Sequence, residues 1–291
     1  MYCLLVQSLA VIVGVAFYTL LERKILAYLQ TRKGPNKPGP LGLLVPFGDA
    51  IKLATKESNT PSRGNKIFFT VIPGLALLIP LILWSAYPTL YDSLTLNHSV
   101  LWFICISSIG VYAILGAGWR RNSKYSFLGA VRSVAQSVSY EVSLTIIIVH
   151  RVLMFYYMLI QSKLSVIRTF LFSVMLLLVV SSLAETNRSP FDFAEGESEL
   201  VSGFNTEYRS VPFLIIFLAE YMSILFLSTM VSLLFNMREY MDIFLFLILW
   251  AVFFIWSRGT LPRLRYDQLI HLAWKNFLPL VLSTLALLLV L

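Results

Sequence analysis

Apolar runs of about 20 residues dominate the chain, and polar residues collect between the runs instead of alternating within them. A helix rises 1.5 Å per residue, so a run of that length crosses a hydrocarbon core of ~30 Å. The pattern predicts eight spans, near 2–21, 68–91, 99–119, 133–152, 166–186, 211–235, 242–257 and 276–291. In a bilayer only helices and closed barrels satisfy their own backbone, and runs this long are helical. The expected fold is therefore all-α: a polytopic integral membrane protein of eight transmembrane helices, with a single membrane domain over 1–291.

One shorter stretch follows a different rule. The segment RKGPNKPGP (32–40) alternates Gly and Pro and cannot be helical. After it, Leu44, Phe47, Ile51 and Ala54 recur at helical spacing, with Asp49, Lys52 and Lys56 opposite. Pro46 is tolerated in a first helical turn. This predicts an interfacial amphipathic helix at about 46–57, within a first inner-side loop over 22–67. Such a helix is either a membrane-surface anchor or a roof over a lateral opening for an amphipathic ligand.

Composition supports the pattern: 58% of residues are hydrophobic and 13% charged, against roughly 25% charged in soluble domains. Charge then orients the spans. Nineteen of the 23 Lys and Arg residues fall in the odd-numbered loops, which the positive-inside rule assigns to the cytoplasmic or matrix side, with both termini outside. Ten of the 15 acids lie on that same side, so the net charge of +8 is no simple anionic-lipid footprint. A face dense in both signs suits docking of a hydrophilic partner. The first run lacks a basic leader and a cleavage site, and reads as a retained span in a bacterial plasma membrane or an organelle. Two Cys and three His, without ligand spacing, do not build an iron–sulfur or bis-His haem centre. There is no GxGxxG and no P-loop, so redox cofactors would come with other subunits. Repeats and inverted symmetry are not visible, which disfavours an ordinary secondary transporter.

Two carboxylates sit inside spans. Glu141 lies nine residues beyond Arg132 and Glu220 eleven beyond Arg209, so both are ~13–17 Å deep from the same side. A lone ionised carboxylate there costs at least ~2.5 kcal/mol, which makes taking up and releasing a proton its natural chemistry. The plainer alternative is a structural hydrogen bond, such as Glu141 to Ser137 one turn away. Residues 185–210 form a second informative loop, with Glu185, Asp192, Glu195, Glu197 and Glu199 against Arg188 alone up to residue 205. Pro190 should end the fifth span, and Asp192, Glu195 and Glu199 share one helical face while Glu197 points elsewhere. Carboxylates that close titrate as a coupled set. Phe191, Phe193, Leu200, Val201 and Phe204 interleave with them, which suits a wall of a polar cavity better than a solvated loop. Arg258, Arg263 and Arg265, with Tyr266 and Trp274, could frame a polar headgroup or meet a partner's acids, and Arg23 lies on the same side.

AETNRSPFDFAEGESELVSGFNTEY (184–208), LLERKILAYLQTRKGPNKPGP (20–40), FGDAIKLATKE (47–57), SVAQSVSYEVSL (133–144), LAEY (218–221) and LPRLRYDQLIHLAWKNFLPL (261–280) carry a resemblance. The chain resembles the chain 1 family of NADH–ubiquinone oxidoreductases, the membrane subunit at the heel of respiratory complex I, and is most similar to animal mitochondrial forms. Residues 149–167 depart most from the family pattern. The resemblance implies eight helices around a ubiquinone access tunnel, with no cofactor in this chain and iron–sulfur clusters and FMN in partner subunits. It implies peripheral-arm quinone-module subunits on the inner side, antiporter-like membrane subunits laterally, membrane lipids around, and no nucleic-acid partner. By motif, Glu185, Asp192, Glu195, Glu197 and Glu199 would line the quinone cavity, and Glu141 and Glu220 would continue a proton path into the membrane. Arg23, Arg188, Phe191, Arg258 and Arg263 would lie along the tunnel or at the subunit interface, with Phe47 and Asp49 at its lipid-facing entrance. The implied location is the mitochondrial inner membrane, with the odd-numbered loops in the matrix and both termini in the intermembrane space. A related hydrogenase membrane subunit, a stand-alone proton or cation transporter and a passive anchor are the alternatives.

Overall fold

The computed structural model describes residues 2–57, 65–87, 99–120, 124–160, 164–192, 208–235 and 240–290. Every regular element in them is helical. The order is α1 (Tyr2–Leu29), α2 (Val45–Thr55), α3 (Lys66–Trp84), α4 (Ser99–Trp119), α5 (Lys124–Ile160), α6 (Leu164–Glu185), α7 (Ser210–Phe235), α8 (Tyr240–Thr260) and α9 (Tyr266–His271). A π-helical turn, Leu272–Phe277, then leads into α10 (Leu278–Val290). Among the described residues seven helices are long and apolar enough to cross a membrane, and a shorter apolar one, Val174–Glu185, stands where the fifth span is expected. The chain is a polytopic all-helical membrane protein.

α7 is the axis of the bundle. It packs on α1, α2, α3, α6 and α8, while α4 bridges α3 to α5, and α5 receives α6 and α10. A helix surrounded in this way has no solvent face, and the apolar residues of α7 are spread around it instead of forming one stripe. Its buried Ser228, Thr229 and Ser232 each donate their hydroxyl to the carbonyl three residues back. That satisfies the polar atom inside its own helix, where neither water nor lipid could. Pro73 and Pro80 lie inside α3 without ending it, which the surrounding helices of a membrane bundle allow. α4 and α5 close to contact at Gly118, where a Cβ would sit 2.2 Å from that of Ala130.

Several expected boundaries move. α5 starts at Lys124 instead of near 133, so Glu141 lies near the middle of a 37-residue helix. α1 runs to Leu29, so Arg23 and Lys24 belong to it and the first loop begins near 30, not at 22. Residues 266–275, expected as a basic connection before the last span, are already helical. The amphipathic helix is α2, within a residue or two of its expected ends, and its Phe47 meets Phe17 of α1 edge to face at 6.0 Å. The Gly/Pro segment before it is non-helical as expected, and Gly42 holds a φ of +73° where a Cβ would strike the Pro35 carbonyl at 2.4 Å.

Candidate functional site

α6 ends at Glu185, as the proline five residues on predicts. The chain then turns sharply through Asn187, whose φ of +50° is a left-handed conformation that asparagine tolerates. The turn is held from below by α5. The Gln136 amide nitrogen donates to the Ala184 carbonyl at 3.0 Å and the Phe191 carbonyl at 2.9 Å. One turn along, the Tyr140 hydroxyl donates to the Leu269 carbonyl of α9, and its ring packs against Phe191 and Phe277. A backbone bond from Leu264 to Pro190 closes the other side. Phe191, expected at the tunnel or interface, is 3% exposed, and the structure gives it a packing role in this clasp. Arg263 is exposed on the segment beside the turn, and Asp192 is half-buried at its end. Glu195, Glu197 and Glu199 lie outside the described residues.

Above the turn lies a cavity of about 160 Å³ between α3, α4, α5, α6 and α7. On this measure it has room for several waters. Its polar lining is Ser107, Ser137, Glu185, Thr186, Asn187, Glu220 and Ser223; the rest is apolar. Among the described residues, Glu185 Oε2 and Asn187 Oδ1 are buried oxygens with no hydrogen-bond partner. Buried acceptors of this kind are ordinarily met by ordered water or carry a proton. Glu141 is near enough for its charge to act on Glu185. The suggested Ser137–Glu141 hydrogen bond does not form, because the Ser137 hydroxyl donates to the Val134 carbonyl at 3.0 Å.

Glu220 is not the lone carboxylate that its place in a span suggests. Arg188 Nη2 donates to Glu220 Oε2 at 3.2 Å, with side chains 10% and 22% exposed. The same guanidinium lies over the ring of Tyr221, 4.7 Å from its centroid. The Tyr221 hydroxyl in turn donates to Glu22 Oε2 at 2.5 Å, and Glu22 Oε1 takes a hydrogen bond from Arg258 Nη1. Glu22 is 7% and Arg188 8% exposed. Two charge pairs, each with one buried member (Glu22, Arg188) and one partly exposed (Arg258, Glu220), thus stand side by side, with one tyrosine between them. A pocket of about 20 Å³, lined by Tyr18, Glu22, Thr186, Arg188, Tyr221 and Arg258, is large enough for a single water.

On the opposite side of Tyr18 is an apolar groove of about 670 Å³ between α1, α7 and α8, running from Gln7 past Gly14 to Leu21. Tyr18 lines both spaces and donates its hydroxyl to the Ala251 carbonyl. Arg23 and Asp49 form an exposed ion pair at 2.7 Å that ties α1 to α2. Sequence reading missed Glu22, Tyr221, Gln136, Asn187 and the pairing of Arg188. Glu22 and Tyr221 stood in quoted motifs, LLERKI and LAEY, but contacts spanning 199 and 236 positions leave no local signal. Among the described residues no group of three or more His, Cys, Asp or Glu could hold a metal ion.

A second cationic contact braces the far end of the acidic loop. The Arg120 guanidinium is 4.2 Å from the Phe69 ring centroid and 3.7 Å from that of Tyr208, two residues before α7. Burial pushes the Tyr208 hydroxyl above its usual pKa, against the pull of Arg120.

The family model described as NADH dehydrogenase matches residues 2–289. The NADH-ubiquinone oxidoreductase chain 1 of Aedes aegypti is 50% identical over 288 residues, covering 97% of this chain and 92% of the relative. That of the squid Heterololigo bleekeri is 47% identical, with 98% and 95% covered, and that of Balaenoptera physalus 46%, with 96% and 92% covered. With near-complete coverage from insect to whale, this chain belongs to the NADH-ubiquinone oxidoreductase chain 1 family.

Proposed function

We propose that this chain is the membrane subunit of respiratory NADH:ubiquinone oxidoreductase that admits ubiquinone and links its reduction to proton movement. The observation that carries the reading is the adjacency of two spaces of opposite character. An apolar groove between α1, α7 and α8 reaches Tyr18, and on the other side of Tyr18 lie Glu22, Arg188 and Arg258, then Glu220 and the polar cavity. The groove suits a prenyl chain, since nearly all its lining is aliphatic or aromatic. The charge pairs suit a group whose charge changes when it takes up electrons. Redox centres that deliver those electrons are assigned to partner subunits docked on the charged face.

In this reading the quinone enters beside α1 and α2, with Phe47 and the Arg23–Asp49 pair at the lipid-facing margin. Reduction adds two electrons, and two protons must follow to form the quinol. Until they arrive, the added negative charge competes for Arg258 and Arg188 and loosens their hold on Glu22 and Glu220. Glu220 then gains or gives up a proton through water in the cavity shared with Glu185, and Glu141 extends the route into the membrane. Asp192, Glu195, Glu197 and Glu199 would feed the route from the inner side. The proposed setting is the mitochondrial inner membrane, with odd-numbered loops in the matrix.

The test has two parts. Gently solubilised native membranes should yield this chain in a very large assembly that reduces quinone with NADH; a small particle without that activity would overturn the reading. Gly14→Phe, which fills a groove position with no atom within 4 Å of a built Cβ, should raise KM for a long-tailed quinone more than for a short-tailed one. Equal effects on both would remove the groove from the route.

A further inference from the structure

Tyr221 touches both charge pairs at once, and it does so with different parts of one side chain. Its hydroxyl donates to Glu22, which Arg258 also holds. Its ring face carries the guanidinium of Arg188, which holds Glu220. Tyr18 packs edge-on to the ring at 6.0 Å, and Phe217 lies on the same helix at 6.3 Å. The side chain therefore cannot shift at one end without moving the other. Buried arrangements of this kind change between discrete states because packed interiors do not deform continuously.

We propose that Tyr221 is a positioning residue that transmits a change of charge at Glu22 and Arg258 to the Arg188–Glu220 pair. While Glu22 is charged it is a strong acceptor, and the short hydrogen bond fixes the ring beneath Arg188. When Arg258 is drawn away, or Glu22 is neutralised, that acceptor weakens and the ring is released. Arg188 loses the ring face that carries its charge, and its balance between Glu220 and other neighbours moves. Tyr221 itself neither donates to nor accepts from the translocated proton. It sets whether the two pairs respond together. This rests on the proposed proton route through Glu220.

The experiment uses the assembled oxidoreductase in sealed vesicles, with rates and protons translocated per NADH normalised to assembled enzyme. Tyr221→Phe keeps an aromatic ring in the site and removes only the hydroxyl that ties it to Glu22. The expected result is a loss in protons per NADH larger, as a fraction, than the loss in NADH:quinone rate. Glu22→Gln should do the same, and the double variant should be no worse than the worse single, because both cut one connection. A merely structural hydroxyl would lower rate and yield in step, and that result would overturn the proposal. So would additive losses in the double variant, or a native proton yield in Tyr221→Phe. Glu220→Gln run in parallel separates the two claims. A native yield there sinks the proton route itself, whereas a lost yield there with a native yield in Tyr221→Phe sinks only the role of Tyr221.

Discussion

Removing either partner of the Arg188–Glu220 pair should not cost the same, and the asymmetry follows from burial and chemistry. Both side chains are largely enclosed, 10% and 22% exposed, so breaking the pair leaves a charge with little water around it. Such losses run to about 3–5 kcal/mol. A carboxylate has a way out that a guanidinium lacks. Forming the neutral acid at pH 7 costs about 1.36 kcal/mol for each pH unit above a reference of ~4.3, or roughly 3.7 kcal/mol. That figure caps the penalty for Arg188→Met, and the cavity's room for water lowers it further. An arginine left behind by Glu220→Gln stays charged under all working conditions, with only the Tyr221 ring and whatever polar neighbours remain. The double variant Arg188→Met with Glu220→Gln removes both charges and should recover most of the loss. The assay is the half-life of the assembled complex at a fixed raised temperature, since large assemblies inactivate irreversibly. Expected order, most to least durable, is native, double variant, Arg188→Met, Glu220→Gln. A difference of ~2 kcal/mol between Glu220→Gln and the double, expressed in the barrier, is a factor of about 30 in rate. Additive losses, with the double variant worst of all, would refute the burial argument.

Other expectations follow from single contacts. Gln136→Leu strips two buried carbonyls of their donor and should cost about 1–3 kcal/mol, read as a shorter half-life; Gln136→Glu, which when ionised has no donor for those carbonyls, should not rescue it. Gly118→Ala forces a Cβ against Ala130 and should cost about 1–3 kcal/mol; adding Ala130→Gly should restore durability, and no rescue would deny the contact. Tyr208 has a raised pKa in the folded chain, so its contribution is complete below its ordinary value of ~10 and is lost as pH rises through the folded value. Tyr208→Phe should therefore lose less durability than native as pH rises above about 10.

How far the sequence alone reached depended on the range of the forces involved. α4 was readable to its ends because its length and hydropathy are set by the bilayer, and the end of α6 because proline acts locally. The start of α5 was not. Residues 124–132 contain Lys124, Gly129 and Arg132 and read as a connection, yet the helix begins there because Ala130 and Ser126 pack against Gly118 of α4. Likewise Glu22, Arg23 and Lys24 looked like the end of a span, while α1 continues because Glu22 is met by Tyr221 and Arg258 and Arg23 by Asp49. At the site, Glu220 and Glu141 stood out as carboxylates inside apolar spans. Their arrangement did not, since the partner of Glu220 lies 32 positions away and that of Glu22 more than 200. Charge in an apolar run announces that something unusual is present; only the fold says what neutralises it.

The proposed route makes Glu220 and Glu141 the carriers of protons moved by quinone reduction. The direct measurement is protons translocated per NADH oxidised, in sealed vesicles, for the assembled enzyme carrying Glu141→Gln or Glu220→Gln. The predicted result is a proton yield well below native in both, beyond any fall in NADH:quinone rate. A native yield in both variants would contradict the claim and leave these two glutamates as structural groups in a membrane anchor.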